Sequence, residues 1–200
     1  FSPVSMTAAR VMLAAVILYV VARFAGQRLP SLRGREGRIA WCHFLAVGTL
    51  GNGLPFTLIA WGEVTVSSSL AAILIGVMPV FTVAMARLTG IESRIGWRRI
   101  TGICLGLAAL VVLMGPAALA GLGSGAVLAQ LAIIGAAVSY AANAVYTKHL
   151  TLRMPILTLA AGNLIASAAV MLPLAFVMES PLELRPGTDA LAAVIVLGIV

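Results

Sequence analysis

Few side chains in this 200-residue sequence can do chemistry, and their spacing does not build a catalytic centre. There is no HExxH, no pair of carboxylates inside one apolar run, and no Ser/His/Asp spacing that supports a nucleophile. His43 and His149 sit near the ends of apolar runs. Cys42 and Cys104 have no disulfide or metal spacing and read as small core residues. No catalytic residue, metal site or cofactor is expected. What remains is a scatter of polar groups in or beside strongly apolar runs: Arg10, Asn52, Trp61, Glu63, Tyr140, Asn143 and Asn163. Their chemistry is that of hydrogen bonding and charge contact, open to a solute, to water or to a neighbouring helix.

Arg10 is the one basic residue within a run, and a charge there seeks a cavity, a partner or the interface. It fits contact with an anion or carboxylate, or snorkelling outward. Glu63 ends the second run, where it could attract cations, carry a proton, pair with Arg10 or simply be solvated. Trp61 beside it is either an interface anchor or a wall of a path. Asn52 lies in Gly51-Asn52-Gly53 just before Pro55, which removes a backbone donor and obstructs the Gly51 carbonyl. Pro79 does the same in the third run, and both prolines read as kinks. Ser67, Ser68 and Ser69 are placed to cap the start of that run. Ser139, Asn143 and Tyr146 recur at i, i+4, i+7 and share one helix face, with Tyr140 about 100° away. Asn163 and Ser167 form a second i, i+4 pair. These stripes serve either helix association or a solute. Gly102 and Gly106 make a GxxxG, read as packing within or between chains. GLGSG at 121–125 has neither a preceding strand nor a following Lys and reads as a loop.

The elements that must position these residues follow from composition. The chain is 62% hydrophobic and 10% charged, with mean hydropathy +1.11. A soluble domain carries about 25% charged residues. Apolar runs of about 20 residues, the length that crosses a bilayer core, recur throughout. They are continuous rather than alternating, so helices and not a barrel are expected. Seven runs are legible, at about 4–25, 39–61, 66–87, 97–115, 126–147, 155–177 and 190 to the end. The stretch from Gly48 to Arg87 stands out, because Gly48, Gly51, Gly53, Pro55, Gly76 and Pro79 interrupt two of them around a short turn at Trp61–Thr65.

The net charge of +7 does not indicate nucleic-acid binding, because the basic residues fall between apolar runs. Of the thirteen Lys and Arg, eleven lie in alternate loops, at 26–38, 88–96 and 148–154 or their edges. The intervening loops hold only Arg185, and Arg10 lies inside a run. The positive-inside rule makes the basic loops cytoplasmic, with Phe1 outside. Sliding the chain by 152 residues sets Pro3 on Pro155, Ala8-Ala9 on Ala160-Ala161 and Ala14 on Ala166, and aligns span, loop and span without a gap. The repeat unit then holds five spans. An odd number reverses orientation, so the halves are inverted repeats, an architecture of secondary transporters. Residues 1–116 would be the first repeat lacking its first helix, and 126–200 the start of the second.

The segment GNGLPFTLIAWGEVTVSSSLAAILIGVMPVFTVAMARL, followed by Glu92 and GWRRITGICLGLAALVVLMGP, resembles the first half of an EamA-type transporter of the drug/metabolite transporter superfamily. The opening SPVSMTAARVMLAA resembles that family's second helix. One departure is Thr89-Gly90-Ile91 before Glu92, where a tighter acidic turn is expected. The resemblance implies ten helices in two inverted five-helix repeats, cytoplasmic termini, and export of amino acids, metabolites or drugs. The fold expected is therefore an all-α membrane bundle with seven spans visible. The function expected is alternating-access transport, as an exporter, of a small organic solute across a bacterial inner membrane. Its partners would be the lipid bilayer, the solute and optionally a coupling proton. Oligomeric state is open. Two other classes stand beside it, an integral-membrane lipid-modifying enzyme and a non-transporting assembly protein. The complete protein is expected to have ten spans in roughly 300 residues, with one span before Phe1 and three after Val200. Reporter fusions after each loop check this, and a topology other than ten spans would remove the inverted-repeat reading.

Overall fold

The structure, a computed structural model, describes residues 3–92, 95–115, 119, 121–122, 126–151 and 153–178. Among these, all regular structure is helical. The elements are α1 (Pro3–Phe24), α2 (Arg35–Gly48), a π-turn (Thr49–Gly53), α3 (Leu54–Gly62), α4 (Ser68–Gly76), α5 (Met78–Leu88), α6 (Trp97–Met114), α7 (Val127–Thr151) and α8 (Ile156–Met178). Among the described residues, five stretches are long and apolar enough to cross a membrane: Arg35–Gly62, Ser68–Leu88, Trp97–Met114, Val127–Thr151 and Ile156–Pro173. Helix α1 is a further 22-residue helix that carries Arg10. The run expected from 190 onward lies outside the described residues.

Two expected spans are subdivided. The second is one 28-residue helix in which the π-turn separates α2 from α3. A π-turn has one residue more per turn than its surroundings and loosens the ladder locally. It falls directly before Pro55, where a residue without N–H would otherwise interrupt a regular α-helix. The third span breaks at Val77 into α4 and α5. Pro79 lies in the first turn of α5, where a missing N–H costs little. Ser67 caps α4, its Oγ accepting from Leu70 N–H at 3.4 Å, so the capping reading of this serine holds.

The chain divides into two compact units. One comprises Phe1–Gly53 with Leu150–Val200. In it α1 packs along α8, α2 also rests on α8, and Ala8 lies against Met171. Helix α1 ends in a left-handed turn at Gly26 (φ 75°), with Gly26 N–H to Arg23 O and Gln27 N–H to Ala22 O, a glycine-terminated cap. Beyond it, Gln27 Oε1 accepts from both Thr158 N–H (3.1 Å) and Thr158 Oγ (3.0 Å). This satisfies a free donor in the first turn of α8 from 131 residues away. Trp41 Nε1 donates to Pro30 O at 3.0 Å and sets an edge-on contact with Phe44. Phe44 is fully buried, its ring over Gly162 of α8.

The other unit is Leu54–His149. Val66, Leu70, Ala71 and Leu74 pack on Ala129 and Ile133 of α7. Gly62 admits Ile133, and Gly76 admits Leu110 of α6. Helix α6 buries none of its residues, and no described residue fills the space over Gly102 or Gly106. The packing role expected of that GxxxG therefore has no described partner. The reading of both cysteines as core residues is corrected: Cys42 and Cys104 are exposed. A thiol is apolar enough to face hydrocarbon, so an apolar run does not imply burial.

A Cβ on Gly162 would run into the Phe44 ring. Gly162→Ala is expected to destabilise the protein by about 1–3 kcal/mol, as overpacking does. Gly162→Ala with Phe44→Ala should cost less than the sum of the two. Thermal unfolding in detergent checks this, and strict additivity would mean that the two residues do not compete for space.

Candidate functional site

The polar side chains that meet inside an apolar surround come from the π-turn and the middle of α8. Asn52 Nδ2 donates to Ser167 Oγ at 2.8 Å, and Ser167 Oγ donates to Asn163 Oδ1 at 3.4 Å. Ser167 is 1% exposed, while both asparagines are partly buried. The geometry depends on Gly48, one turn before Asn52. A Cβ there would lie 2.7 Å from Ser167 Oγ, 3.1 Å from Ser167 N and 3.3 Å from Asn163 O. Glycine thus lets the backbone of α2 approach α8, and the π-turn then presents the Asn52 amide to Ser167. The i, i+4 spacing of Asn163 and Ser167 puts both on one face.

Asn52 Oδ1 and Asn163 Nδ2 make no bond to a described residue. In hydrocarbon a polar group without a partner is costly, so such groups are kept only against protein or water. One spare acceptor and one spare donor on neighbouring amides suit an uncharged polar group or a water chain. No charge lies within the cluster itself.

The remaining expected site residues lie elsewhere. Arg10, on α1, is exposed and pairs with no described residue. Trp61 is 56% exposed and Glu63 is exposed just past the end of α3. On α7, Ser139 is 4% exposed, Tyr140 is partly buried and engaged by its surroundings, and Asn143 Oδ1 accepts from Thr147 Oγ at 3.4 Å. Tyr146 and His149 line a cavity of about 470 Å³ with Met85, Leu88 and Thr89 of α5 and its following turn.

Three polar arrangements were not legible in the pattern. Glu92 pairs with Arg99 and, at 3.3 Å, with Lys148. Gly90 (φ 71°) turns the chain there, and Glu92 N–H reaches back to Ala86 O at 3.1 Å. Gln130, 7% exposed, donates from Nε2 to Gly121 O at 2.7 Å and ties the loop to α7. Gln27 holds the start of α8 as described. Each pairs residues that do not lie on one helix. The one available signal was a lone Gln or Glu beside an apolar run.

These features define a multi-pass helical membrane protein with a small neutral polar cluster at a helix irregularity. Residues 1–115 match the model of the EamA-like transporter family, and the chain belongs to that family. Among individual proteins, it is 28% identical over 194 residues to YedA of Escherichia coli K12, described as an uncharacterised inner membrane transporter. The same holds for the YedA proteins of E. coli O6:H1 and O157:H7. That alignment takes in 96% of this chain and 59% of the relative, so the chain spans about three fifths of the length of these relatives. A solved crystal structure superposes on the whole chain and on 65% of its own chain, with TM-score 0.78 and 22% identity, a likeness of fold.

Truncating Asn52 or Ser167 to Ala should each lower stability modestly. A double-mutant cycle is expected to return a coupling of about 0.6–1.7 kcal/mol, the range for interhelical hydrogen bonds in membranes. Unfolding in mixed micelles measures it, and a coupling of zero would mean that the 2.8 Å contact contributes nothing.

Proposed function

We propose that the chain is part of a secondary transporter that moves a small organic solute across a bacterial inner membrane by alternating access, in the direction of export. The observation that carries this reading is the Asn52–Ser167–Asn163 cluster, with amide capacity to spare beside a π-turn. Family membership and the likeness to inner membrane transporters support it. Asn52 and Asn163 hold polar groups of the solute, Arg10 offers a cation for a carboxylate, and Trp61, Glu63, Tyr140 and Asn143 contribute to the route. The backbone loosened before Pro55 and the break near Pro79 give the two spans room to bend. A proton is a candidate coupling ion, with Glu63 its carrier.

The 5+5 inverted repeat predicts a reciprocal packing of its equivalent helices. The 152-residue register equates α1 with α8, Ala8 with Ala160 and Tyr19 with Met171. Two equivalent elements related by a two-fold axis pack on each other reciprocally. Helices α1 and α8 do pack together, and Ala8 touches Met171, the equivalent of Tyr19. In that frame 1–116 and 126–200 belong to the two repeats, and the basic loops 26–38, 88–96 and 148–154 face the cytoplasm.

The complete protein in liposomes, loaded with a panel of amino acids and other metabolites, should exchange at least one of them. Asn163→Leu and Asn52→Leu are expected to slow exchange about tenfold or more with insertion unchanged, while Ser67→Ala leaves the rate intact. No solute-driven exchange across the panel would overturn the proposal.

A further inference from the structure

Two cavities of the first unit share one residue. A groove of about 320 Å³ runs between α1 and α8, lined by Met12, Ala15, Val16, Tyr19, Ile165 and Ala168. Tyr19 also lines a second hollow of about 520 Å³, with Val20, Arg23, Phe24, Gly26 and Arg28. The first is almost wholly apolar, and the second carries two guanidinium groups. Tyr19 and Arg23 are one helical turn apart and share a face. The left-handed Gly26 then reverses the chain, so that Arg28 lines the same hollow as Arg23. Neither arginine forms an ion pair with a described residue. The large side chains along the track are open, with Met12 44%, Val16 56%, Tyr19 41% and Phe24 89% exposed.

We propose that this track holds one anionic phospholipid of the leaflet that faces the basic loops. The acyl chain lies in the groove over Ala15 and Ala168, and the phosphate sits between Arg23 and Arg28. Tyr19 stands at the level where chain meets headgroup, the depth its amphipathic ring favours. Arginine forks match phosphate oxygens in pairs. A soluble anion would use the two arginines but leave the apolar groove empty. A second copy meeting this face about a two-fold axis would set arginine mouth against arginine mouth. Charge and shape together favour a molecule with an apolar tail and an anionic head.

The test uses the complete protein, delipidated in detergent and titrated with phosphatidylglycerol or phosphatidylcholine, with bound lipid counted by native mass spectrometry. Phosphatidylglycerol should bind about thirtyfold more tightly, the worth of two cations near an anionic group. R23Q/R28Q should remove that preference, R23K/R28K should keep most of it, and Val16→Trp, which blocks the groove, should weaken both lipids. Glycerol phosphate should not displace the bound lipid. Equal affinity for the two lipids, an unchanged preference in R23Q/R28Q, or displacement by glycerol phosphate would overturn the proposal. So would crosslinking from Val16→Cys that finds another segment of the protein or a second copy in the groove. Because Val16→Trp leaves both arginines in place, its result stands even where the double variant folds poorly.

Discussion

In hydrocarbon no water is available to backbone N–H and C=O groups, so each must be satisfied by the protein itself. That requirement makes every described span a helix, and it also decides where a span can deviate. The π-turn at Thr49–Gly53 lies where α2 meets the Ser167 face of α8 and a side-chain amide stands ready. The break at Val77 puts Pro79 in a first turn, and Val80 N–H finds Val77 O at 2.9 Å. The start of α8 has its Thr158 donors taken up by Gln27. At the break and at the start of α8 the structure supplies a partner, or a position where the missing donor costs little.

Close approach is the second determinant, and glycine sets it within each unit. Gly48 and Gly162 bring α2 onto α8, and Gly62 and Gly76 receive Ile133 and Leu110. None of these four belongs to a GxxxG pair. The pair that does, Gly102 and Gly106, is open. A motif in one helix says that close packing is allowed there. It does not say which helix uses it, because the driving force between spans is fit and hydrogen bonding and not the removal of apolar surface from water.

The same physics explains what was legible in the sequence. Helix extents could be read because hydropathy reports a solvent that is uniform along the chain, and six of the seven runs expected coincide with helices or helix pairs. The helix interruptions beside Pro55 and Pro79 and the cap at Ser67 have local signals, because each is a property of a few neighbouring residues. Burial could not. In a membrane both the core and the outside are apolar, so Cys42 and Cys104, which an aqueous rule sends inward, point outward. The polar cluster was half legible. Periodicity put Asn163 and Ser167 on one face and flagged Asn52 at a bend, but only the fold brings residues 115 apart in the chain to 2.8 Å. The Arg99–Glu92–Lys148 group was illegible for that reason, since charge counting assigns residues to a side and not to partners.

The neutrality of the Asn52–Ser167–Asn163 cluster bears on what it can do. A charged site within a span would need a counter-ion or a shifted protonation state to be tolerated, and moving either is expensive. Neutral amides and a hydroxyl carry no such demand. Their hydrogen bonds are worth about 0.6–1.7 kcal/mol each in a membrane, so bonds to water, to one another and to a polar solute are nearly interchangeable. Under the transport proposal a site must be occupied and then vacated, and interchangeable partners would serve that better than a deep well. The π-turn beside it would work in the same direction. A π-turn already holds fewer regular bonds than an α-helix, so changing its angle disturbs fewer of them. Asn52 sits on that turn and Asn163 on the helix opposite, so a change in the turn would alter the spacing of the two amides.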